Sequence, residues 1–254
     1  MAPQADAAAP AAAARAALDE LLAAAPEIAD RLPPGYPDAA QRYVRELLAT
    51  NRVLNLTRVV EPAEVARLHL LDALAALPLL GEWRARDAMD LGSGGGVPGI
   101  PLALAQPEVR WTLVDSVRKK ADALRSFGAA LGLETLTVLA ERAETLGRDP
   151  AHRERYDLVA ARACAALPVL VELALPLLRQ GGRLLAWKGP LSEADDEIRR
   201  GALAAAQLGG GLPALRPSGI TALGGHTFVM VTKERATPAR FPRRPGEPGR
   251  RPLG

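Results

Sequence analysis

The sequence predicts an α/β fold with a mostly parallel sheet of seven strands, an antiparallel C-terminal hairpin and extra N-terminal helices. Three observations support this class. From about residue 86 onward, short apolar runs alternate with helical stretches, which is typical of parallel strands joined by covering helices. The last two strand-like runs follow each other without a helix, as in a hairpin. Before residue 80 the apolar residues recur only with helical spacing.

The N-terminal third is expected to be helical after a disordered start. Residues 1–14 are nearly all alanine and have little to bury, so we expect disorder there. A single domain is predicted over 15–235, with a helical portion over 15–80. Within that portion, helices are predicted over 15–25 and 38–54. A third begins at Pro62, a residue favoured in the first turn.

The remaining elements follow in alternation. The strands are predicted over 87–91, 111–116, 135–140, 156–162 and 181–189, and the hairpin strands over 212–220 and 226–233. The helices between them are predicted over 99–104, 117–133, 167–178 and 192–207.

The charge is concentrated at the C-terminus. The 254 residues carry a formal net charge of +3, yet seven basic residues and only two acidic ones lie from Lys233 onward. A proline-rich basic tail over 236–254 is expected to be extended and solvated. It would suit a polyanion such as RNA, because each basic side chain on a phosphate releases counterions. The alternative is a solvated extension without a function.

Composition excludes several protein classes. The single cysteine, Cys164, permits no intrachain disulfide and no cysteine-rich zinc site, so a reducing cytoplasm is expected. Cys164 itself is expected to be a small packed hydrophobic residue. No metal site, membrane span or secretory signal is predicted. Aromatic residues make up 4% of the chain, which disfavours an RNA-binding sheet that stacks bases on aromatic rings.

The most informative motif is the glycine-rich loop DLGSGGGVPG, residues 90–99, between the first strand and its helix. Gly92, Gly94 and Gly96 let the backbone turn sharply and let a ligand come close. Free amides at the helix start and the sheet edge are expected to form a ligand crevice. Asp115 closes the second strand, where a carboxylate can accept from two ribose hydroxyls.

Three features favour S-adenosylmethionine over a dinucleotide as the ligand. Asp90, at the strand end, suits the cationic amino group of a methionine moiety and repels a pyrophosphate. Glu144 follows the third strand, where an adenine edge would arrive. The closing hairpin is absent from nicotinamide-binding folds. The spacing of Gly94, Gly96 and Gly99 also fits the dinucleotide fingerprint, so that alternative stays open.

Several motifs in a fixed order resemble one family. They are NLTRVVEPAEVARLHLLDAL (55–74), DLGSGGGVPGIPLAL (90–104), LVDSVRKKADALR (113–125), ERAE (141–144), AARACAAL (160–167) and WKGP (187–190). This set resembles the bacterial 16S ribosomal RNA guanine-N7 methyltransferase family (RsmG, also called glucose-inhibited division protein B). The likeness extends from about Asp38 through the basic tail.

The resemblance implies a Rossmann-like, class I methyltransferase that uses S-adenosylmethionine to methylate N7 of a guanine in 16S rRNA. The implied partner is 16S rRNA or the small ribosomal subunit, in the cytoplasm. The resemblance assigns loop contacts with the cofactor to Gly92 and Val97, and adenine-side contacts to Ala143 and Glu144. It places Asp115 at the ribose and Arg162 in the cofactor site beside the reacting groups.

No general base is expected, because guanine N7 already presents a lone pair and loses no proton on methylation. Arg162 is the candidate for orienting the reactants. Lys188 and four tail arginines are candidates for RNA phosphate contacts; the four are Arg243, Arg244, Arg250 and Arg251. His69 with Asp72 is expected to form a buried orienting pair, and His226 to be a strand residue without a special role. A monomer is expected.

Three other functions remain compatible with the sequence. The glycine loop could serve a nicotinamide-dependent oxidoreductase, although no persuasive proton-transfer residue accompanies it. A methyltransferase could act on a small molecule or a protein. A ribosome-assembly module could bind RNA and keep a vestigial nucleotide pocket, although Asp90, Asp115, Glu144 and Arg162 are all intact.

Overall fold

The computed structural model describes residues 7–254, and its N-terminal part is helical. The helices are α1 (Ala8–Ala23), α2 (Pro26–Ala29), α3 (Tyr36–Leu54), α4 (Pro62–Val65), α5 (Asp72–Leu74) and α6 (Leu77–Trp83), with a π-helical stretch (Ala66–Leu71) between α4 and α5. The predicted third helix is therefore not a uniform α-helix. It widens around His69, and π-helical turns of this kind often accompany functional sites.

The expectation of a disordered alanine-rich start is wrong for residues 8–14, which form the first two turns of α1. Residues 1–6 of that predicted segment lie outside the described residues. Ala11 and Ala14 are almost fully buried, and α1 packs against α3 and α4. Alanine has the highest helix propensity and lets helices approach closely, so a tract with little to bury still packs.

The sheet confirms the predicted fold class. Its strands are β1 (Asp87–Leu91), β2 (Arg110–Val114), β3 (Thr137–Leu139), β4 (Tyr156–Arg162), β5 (Leu178–Lys188), β6 (Ala214–Pro217) and β7 (Thr227–Thr232). They lie in the order β3-β2-β1-β4-β5-β7-β6. The first five are parallel, while β7 is antiparallel to both β5 and β6. The chain order reverses between β1 and β4, which is where open α/β sheets bind ligands.

Helices cover both faces of the sheet. They are α7 (Gly99–Ala105), α8 (Arg118–Leu131), α9 (Ala143–Leu146), α10 (Leu167–Ala174), α11 (Asp196–Leu208) and α12 (Glu247–Arg250). One core lies between the sheet and α1, α3, α7 and α8, and the other lies on the α10 and α11 face. The central strand β1 is buried along nearly its whole length, as expected for a parallel strand covered on both faces.

The prediction of an extended, solvated tail is wrong. Phe241 is 4% exposed and belongs to the core beneath α10, and the chain then forms the short helix α12. Two arginines outside the tail donate hydrogen bonds to main-chain carbonyl oxygens of the tail. Arg148 Nε donates to Pro242 O at 2.8 Å, and Arg153 donates to Phe241 O at 2.8 Å. Each proline removes one main-chain donor, so partners elsewhere in the chain contribute much of what makes this segment pack.

Two kinds of feature are absent from residues 7–254. No helix there is both long enough and apolar enough to cross a bilayer. Those residues also contain no group of three or more histidine, cysteine, aspartate and glutamate side chains arranged to hold a metal ion.

Candidate functional site

The glycine-rich loop lies at the carboxyl ends of β1 and β4, where the chain order reverses. Four of its glycines, Gly92, Gly95, Gly96 and Gly99, leave no room for a Cβ, and two of them lie against β1 or the segment after β4. Gly92 has φ +72°, and a Cβ there would lie 2.9 Å from Cys164 Sγ. A Cβ on Gly99 would lie 2.7 Å from Asp90 Oδ2. Close approach between the loop, β4 and β1 therefore requires these glycines.

The loop's amides donate inward rather than toward a crevice, contrary to expectation. Gly92 N and Ser93 N donate to Val114 O at 2.9 and 3.0 Å. Gly96 N and Val97 N donate to Ser93 O at 2.7 and 3.2 Å. Most amides of the loop are thus engaged within the loop or with Val114, and what the loop mainly offers a ligand is close approach.

Asp90 was expected to face a cationic amino group, but the structure buries it completely beneath the loop. Its Oδ2 accepts from Gly99 N at 3.1 Å, and its Oδ1 has no hydrogen-bond partner. Burial raises the pKa of this carboxyl from 3.8 to about 7, partly offset by its hydrogen bonds and by Arg162. Asp90 therefore shapes the turn into α7, and its carboxylate does not line either cavity described below.

Asp115 is 8% exposed and holds the loop in place. Its Oδ2 accepts from Gly94 N at 3.1 Å, and its Oδ1 accepts from Val117 N at 2.8 Å. A carboxylate oxygen can accept more than one hydrogen bond, so these contacts leave capacity for a ribose hydroxyl.

A cavity of about 350 Å³, here called the large cavity, opens beyond β1 and β2. Its walls include Gly92, Ser116, Ala143 and Glu144, of which the sequence singled out all but Ser116. Cys164 also lines it and is exposed, so the expectation of a packed hydrophobic residue is wrong. Desolvation and nearby carboxylates raise the pKa of its thiol to about 11, which keeps it protonated and not nucleophilic.

A second cavity of about 180 Å³, here called the small cavity, lies on the other side of the loop. Gly92 lines both cavities. Four further loop residues line the small one, together with Arg162 from the end of β4. They are Ser93, Gly94, Gly95 and Val97. Its remaining polar wall consists of Thr57 and His69, and sequence reasoning attached no binding role to Thr57.

A hydrogen-bonded network converges on Arg162 behind the small cavity. Its guanidinium donates to Leu68 O, to Asp72 Oδ2 at 3.2 Å and to His69 Nδ1 at 3.1 Å. Asp72, whose side chain is 3% exposed, accepts with its other oxygen from His226 Nδ1 at 2.9 Å. The predicted pair of His69 and Asp72 is thus joined through Arg162. The expectation that His226 has no special role is wrong.

The network also sets the protonation state of His69. Burial, reinforced by the Arg162 charge, lowers the pKa of His69 from 6.5 to about 4, so the ring is neutral at pH 7. Arginine can only donate, so Nδ1 accepts and the proton resides on Nε2, which lies 2.9 Å from Thr57 Oγ1. Both ring nitrogens are engaged, and this imidazole cannot serve as a general base.

Thr57 is left with one hydrogen to donate. Its Oγ1 accepts from His69 Nε2 at 2.9 Å and from Val59 N at 3.0 Å. Its main-chain N donates to Asn51 Oδ1 at 2.8 Å. No acceptor for the hydroxyl proton occurs within residues 7–254. Because Thr57 lines the small cavity, its hydroxyl is a donor available to a ligand there.

Two residues expected to contact RNA phosphates are engaged in ion pairs. Lys188 Nζ lies 2.6 Å from Glu197 Oε1 and 3.0 Å from Ala165 O. Arg243 donates to both oxygens of Glu172, which is completely buried. Both charges are therefore neutralised locally, contrary to expectation. The other three arginines that were expected to contact RNA are exposed; they are Arg244, Arg250 and Arg251.

The residues that line the large cavity fit an adenosyl ligand, and those of the small cavity fit a second, hydrogen-bonding ligand. The large cavity combines apolar walls with the buried Glu144 carboxylate at one end. The small cavity offers hydrogen-bond donors from Arg162 and Thr57. Such pairing of apolar surface with a few convergent polar groups is typical of nucleoside-type pockets.

Comparison with known families identifies the chain. The GidB family model, described as rRNA small subunit methyltransferase G, matches residues 37–210. This chain belongs to that family. The methyltransferase G match covers α3 and the chain through α11, and therefore includes the loop, the small cavity and every wall of the large cavity except the C-terminal residues Gly246, Pro248 and Gly249.

Individual relatives agree with this membership. The chain is 44% identical to the ribosomal RNA small subunit methyltransferase G of Roseiflexus castenholzii, over 93% of this chain and 100% of the relative. It is 46% identical to the protein of the same name from Deinococcus radiodurans, over 84% of this chain and 83% of the relative. An O-methyltransferase structure from Bacillus cereus, in complex with SAH, shares the fold, with a TM-score of 0.52, 17% identity and coverage of 75% of this chain and 90% of that chain.

Proposed function

We propose that this methyltransferase G family member transfers the methyl group of S-adenosylmethionine to N7 of one guanine in 16S rRNA. The observation that carries the proposal is the pair of cavities that meet at Gly92, at the carboxyl ends of β1 and β4. One suits a nucleoside and the other suits a methyl acceptor. A transfer reaction needs both ligands to meet at one point, and the loop is that point.

The large cavity is assigned to the adenosyl group. Glu144 would accept from the adenine amino group and Asp115 from the ribose, while Gly92 allows close approach on the loop side. Ser116 adds a hydroxyl to the same wall. Val97 lines the small cavity, across the loop from the adenosyl group. S-adenosylmethionine, when bound, supplies a methyl group on a positively charged sulfur. The chain's contribution is to orient that group toward the small cavity.

The small cavity is assigned to the acceptor. Guanine N7 attacks with its own lone pair and carries no proton. The chain therefore needs to supply hydrogen-bond donors but no general base. Arg162 and Thr57 are such donors, and neutral His69 is committed to holding them. Donors placed against guanine O6 would hold N7 in line with the methyl group, and they would disfavour adenine, which presents an amino group at that position.

RNA docking is assigned to exposed arginines around the two cavities. Arg58 and Arg142 are exposed and adjoin Thr57 and Ala143 in the chain. Three tail arginines, Arg244, Arg250 and Arg251, are exposed near the large cavity, because Pro248 and Gly249 of the same segment line it. Contacts of this kind with phosphates position an RNA without reading its sequence. The proposed setting is the cytoplasm, with the protein acting as a monomer.

The test uses the purified protein, S-adenosylmethionine, and small subunits or naked 16S rRNA from cells that lack this activity. Mass spectrometry of nuclease fragments is expected to find one methylated guanine, and chain cleavage after reduction and aniline treatment would place the methyl group at N7. A methyl group on another atom, or none on either substrate, would contradict the proposal. Comparing the two substrates shows which is used, and sedimentation equilibrium tests the monomer.

A further inference from the structure

The C-terminal segment forms part of the wall of the large cavity. Residues 237–250, here called the C-terminal strap, run from the end of the sheet across α10 and into α12. Gly246, Pro248 and Gly249 line the large cavity beside Glu144. The strap therefore lies against the ligand-facing side of the fold, although sequence reasoning placed it in solvent.

The strap is fastened at several points along its length. Its first residue, Thr237, accepts with Oγ1 from the fully buried Lys233 Nζ at 2.6 Å. Further along, Phe241 enters the core, and Arg153 donates to Thr237 O at 2.7 Å and to Phe241 O at 2.8 Å. These contacts hold the first half of the strap independently of any ligand.

The turn into the second half is held by an ion pair between Arg243 and Glu172. Arg243 Nε lies 2.8 Å from Glu172 Oε1, and its NH2 group lies 2.5 Å from Oε2. The Arg243 amide also donates to Glu172 Oε1 at 2.9 Å. Because Glu172 sits within α10 with no exposed surface, the pair fixes where the strap turns toward the cavity.

Beyond that turn the strap touches the residue assigned to adenine. Gly246 N donates to Glu144 Oε1 at 2.7 Å. Gly246 has φ +79°, a left-handed conformation that glycine adopts without strain. Glu144 makes no other side-chain hydrogen bond within residues 7–254, so Oε2 remains available to a ligand. The strap thus sets the orientation of a carboxylate that the cofactor would use.

We propose that Arg243 is a positioning residue that, through Gly246, holds Glu144 in place to accept from the adenine amino group of the cofactor. This inference rests on the proposed function. It predicts that the preference of the large cavity for adenine over other bases depends on the ion pair between Arg243 and Glu172. The basic tail then has a structural task at the cofactor as well as exposed arginines for RNA.

Calorimetric titration of the full chain with two ligands tests the proposal. S-adenosylhomocysteine has the adenine amino group, whereas S-inosylhomocysteine has a carbonyl oxygen in its place, which a carboxylate repels. We expect the unmodified protein to prefer the first by about tenfold or more. Arg243→Ala should weaken the binding of S-adenosylhomocysteine about tenfold and lower its preference over S-inosylhomocysteine to below about threefold. Arg235→Ala, at an exposed arginine just before the strap that lines neither cavity, is the matched control and should keep the preference.

Hydrogen exchange of the unmodified protein gives a second readout that needs no variant. Saturation with S-adenosylhomocysteine should slow exchange in the peptide that contains Gly246. Unchanged exchange there, or an Arg243→Ala protein that binds with the original affinity and preference, would overturn the inference and leave the proposed function intact. If the unmodified protein does not bind S-adenosylhomocysteine at all, the proposed function itself fails and the inference fails with it.

Discussion

Replacing His69 with glutamine should flatten the pH dependence of stability. In the folded protein, burial beside Arg162 lowers the pKa of His69 to about 4, whereas 6.5 is its ordinary value. Between these values the unfolded chain binds a proton that the folded chain does not. The contribution of His69 to the free energy of unfolding is therefore present above pH 6.5 and declines as the pH falls toward 4.

The magnitude follows from one proton per unfolding event. Each pH unit within that window changes the free energy of unfolding by about 1.4 kcal/mol, so His69 should cost the protein about 2 kcal/mol between pH 7 and pH 5. Glutamine cannot titrate, yet its amide can accept from Arg162 and donate to Thr57. Between pH 7 and pH 5, the free energy of unfolding of His69→Gln should therefore fall by about 2 kcal/mol less than that of the unmodified protein.

Urea unfolding followed by circular dichroism at pH 7 and pH 5 measures the free energy of unfolding of both proteins. Asp90 acts in the opposite direction, because its raised pKa makes the folded state the better proton acceptor below pH 7. That contribution is common to both proteins and cancels in the comparison. Parallel losses of stability would refute the reasoning, since they would mean that His69 titrates alike in the folded and unfolded chains.

Three further predictions concern the small cavity and the strap. Arg162→Ala leaves the buried Asp72 with only His226 as a partner, so it should lower the free energy of unfolding by about 3 kcal/mol. At temperatures where the variant is folded, methylation should fall more than about a hundredfold. A variant that is inactive but as stable as the unmodified protein would show that the ion pair has no structural role. Thr57→Val should lower kcat/KM roughly five- to tenfold while Thr57→Ser stays near normal, and equal activities of the two would remove the hydroxyl from the mechanism. Replacing three exposed C-terminal arginines by alanine should reduce the slope of log affinity for RNA against log salt concentration by about 2–3. An unchanged slope would mean that they do not touch phosphates; the three are Arg244, Arg250 and Arg251.

Elements specified by local pattern were predictable from the sequence. The alternating strands and helices, the loop over 90–99 and the closing hairpin all appear where expected, because each depends on side-chain periodicity and glycine content within a short window. The placement of Gly92, Glu144 and Arg162 beside the cavities follows from their positions at the carboxyl ends of strands. A parallel sheet brings those ends to a single edge.

What only the tertiary structure decided is which polar groups find partners over long sequence distances. The pairing of Arg243 with Glu172 turned a segment expected in solvent into a cavity wall, and the convergence of Asp72, Arg162 and His226 turned isolated residues into a network. Asp90 was sealed beneath its own loop. Composition and periodicity describe neighbours along the chain, whereas the cost of burying a charge is met by groups tens of residues away, and their positions are known only once the chain has folded.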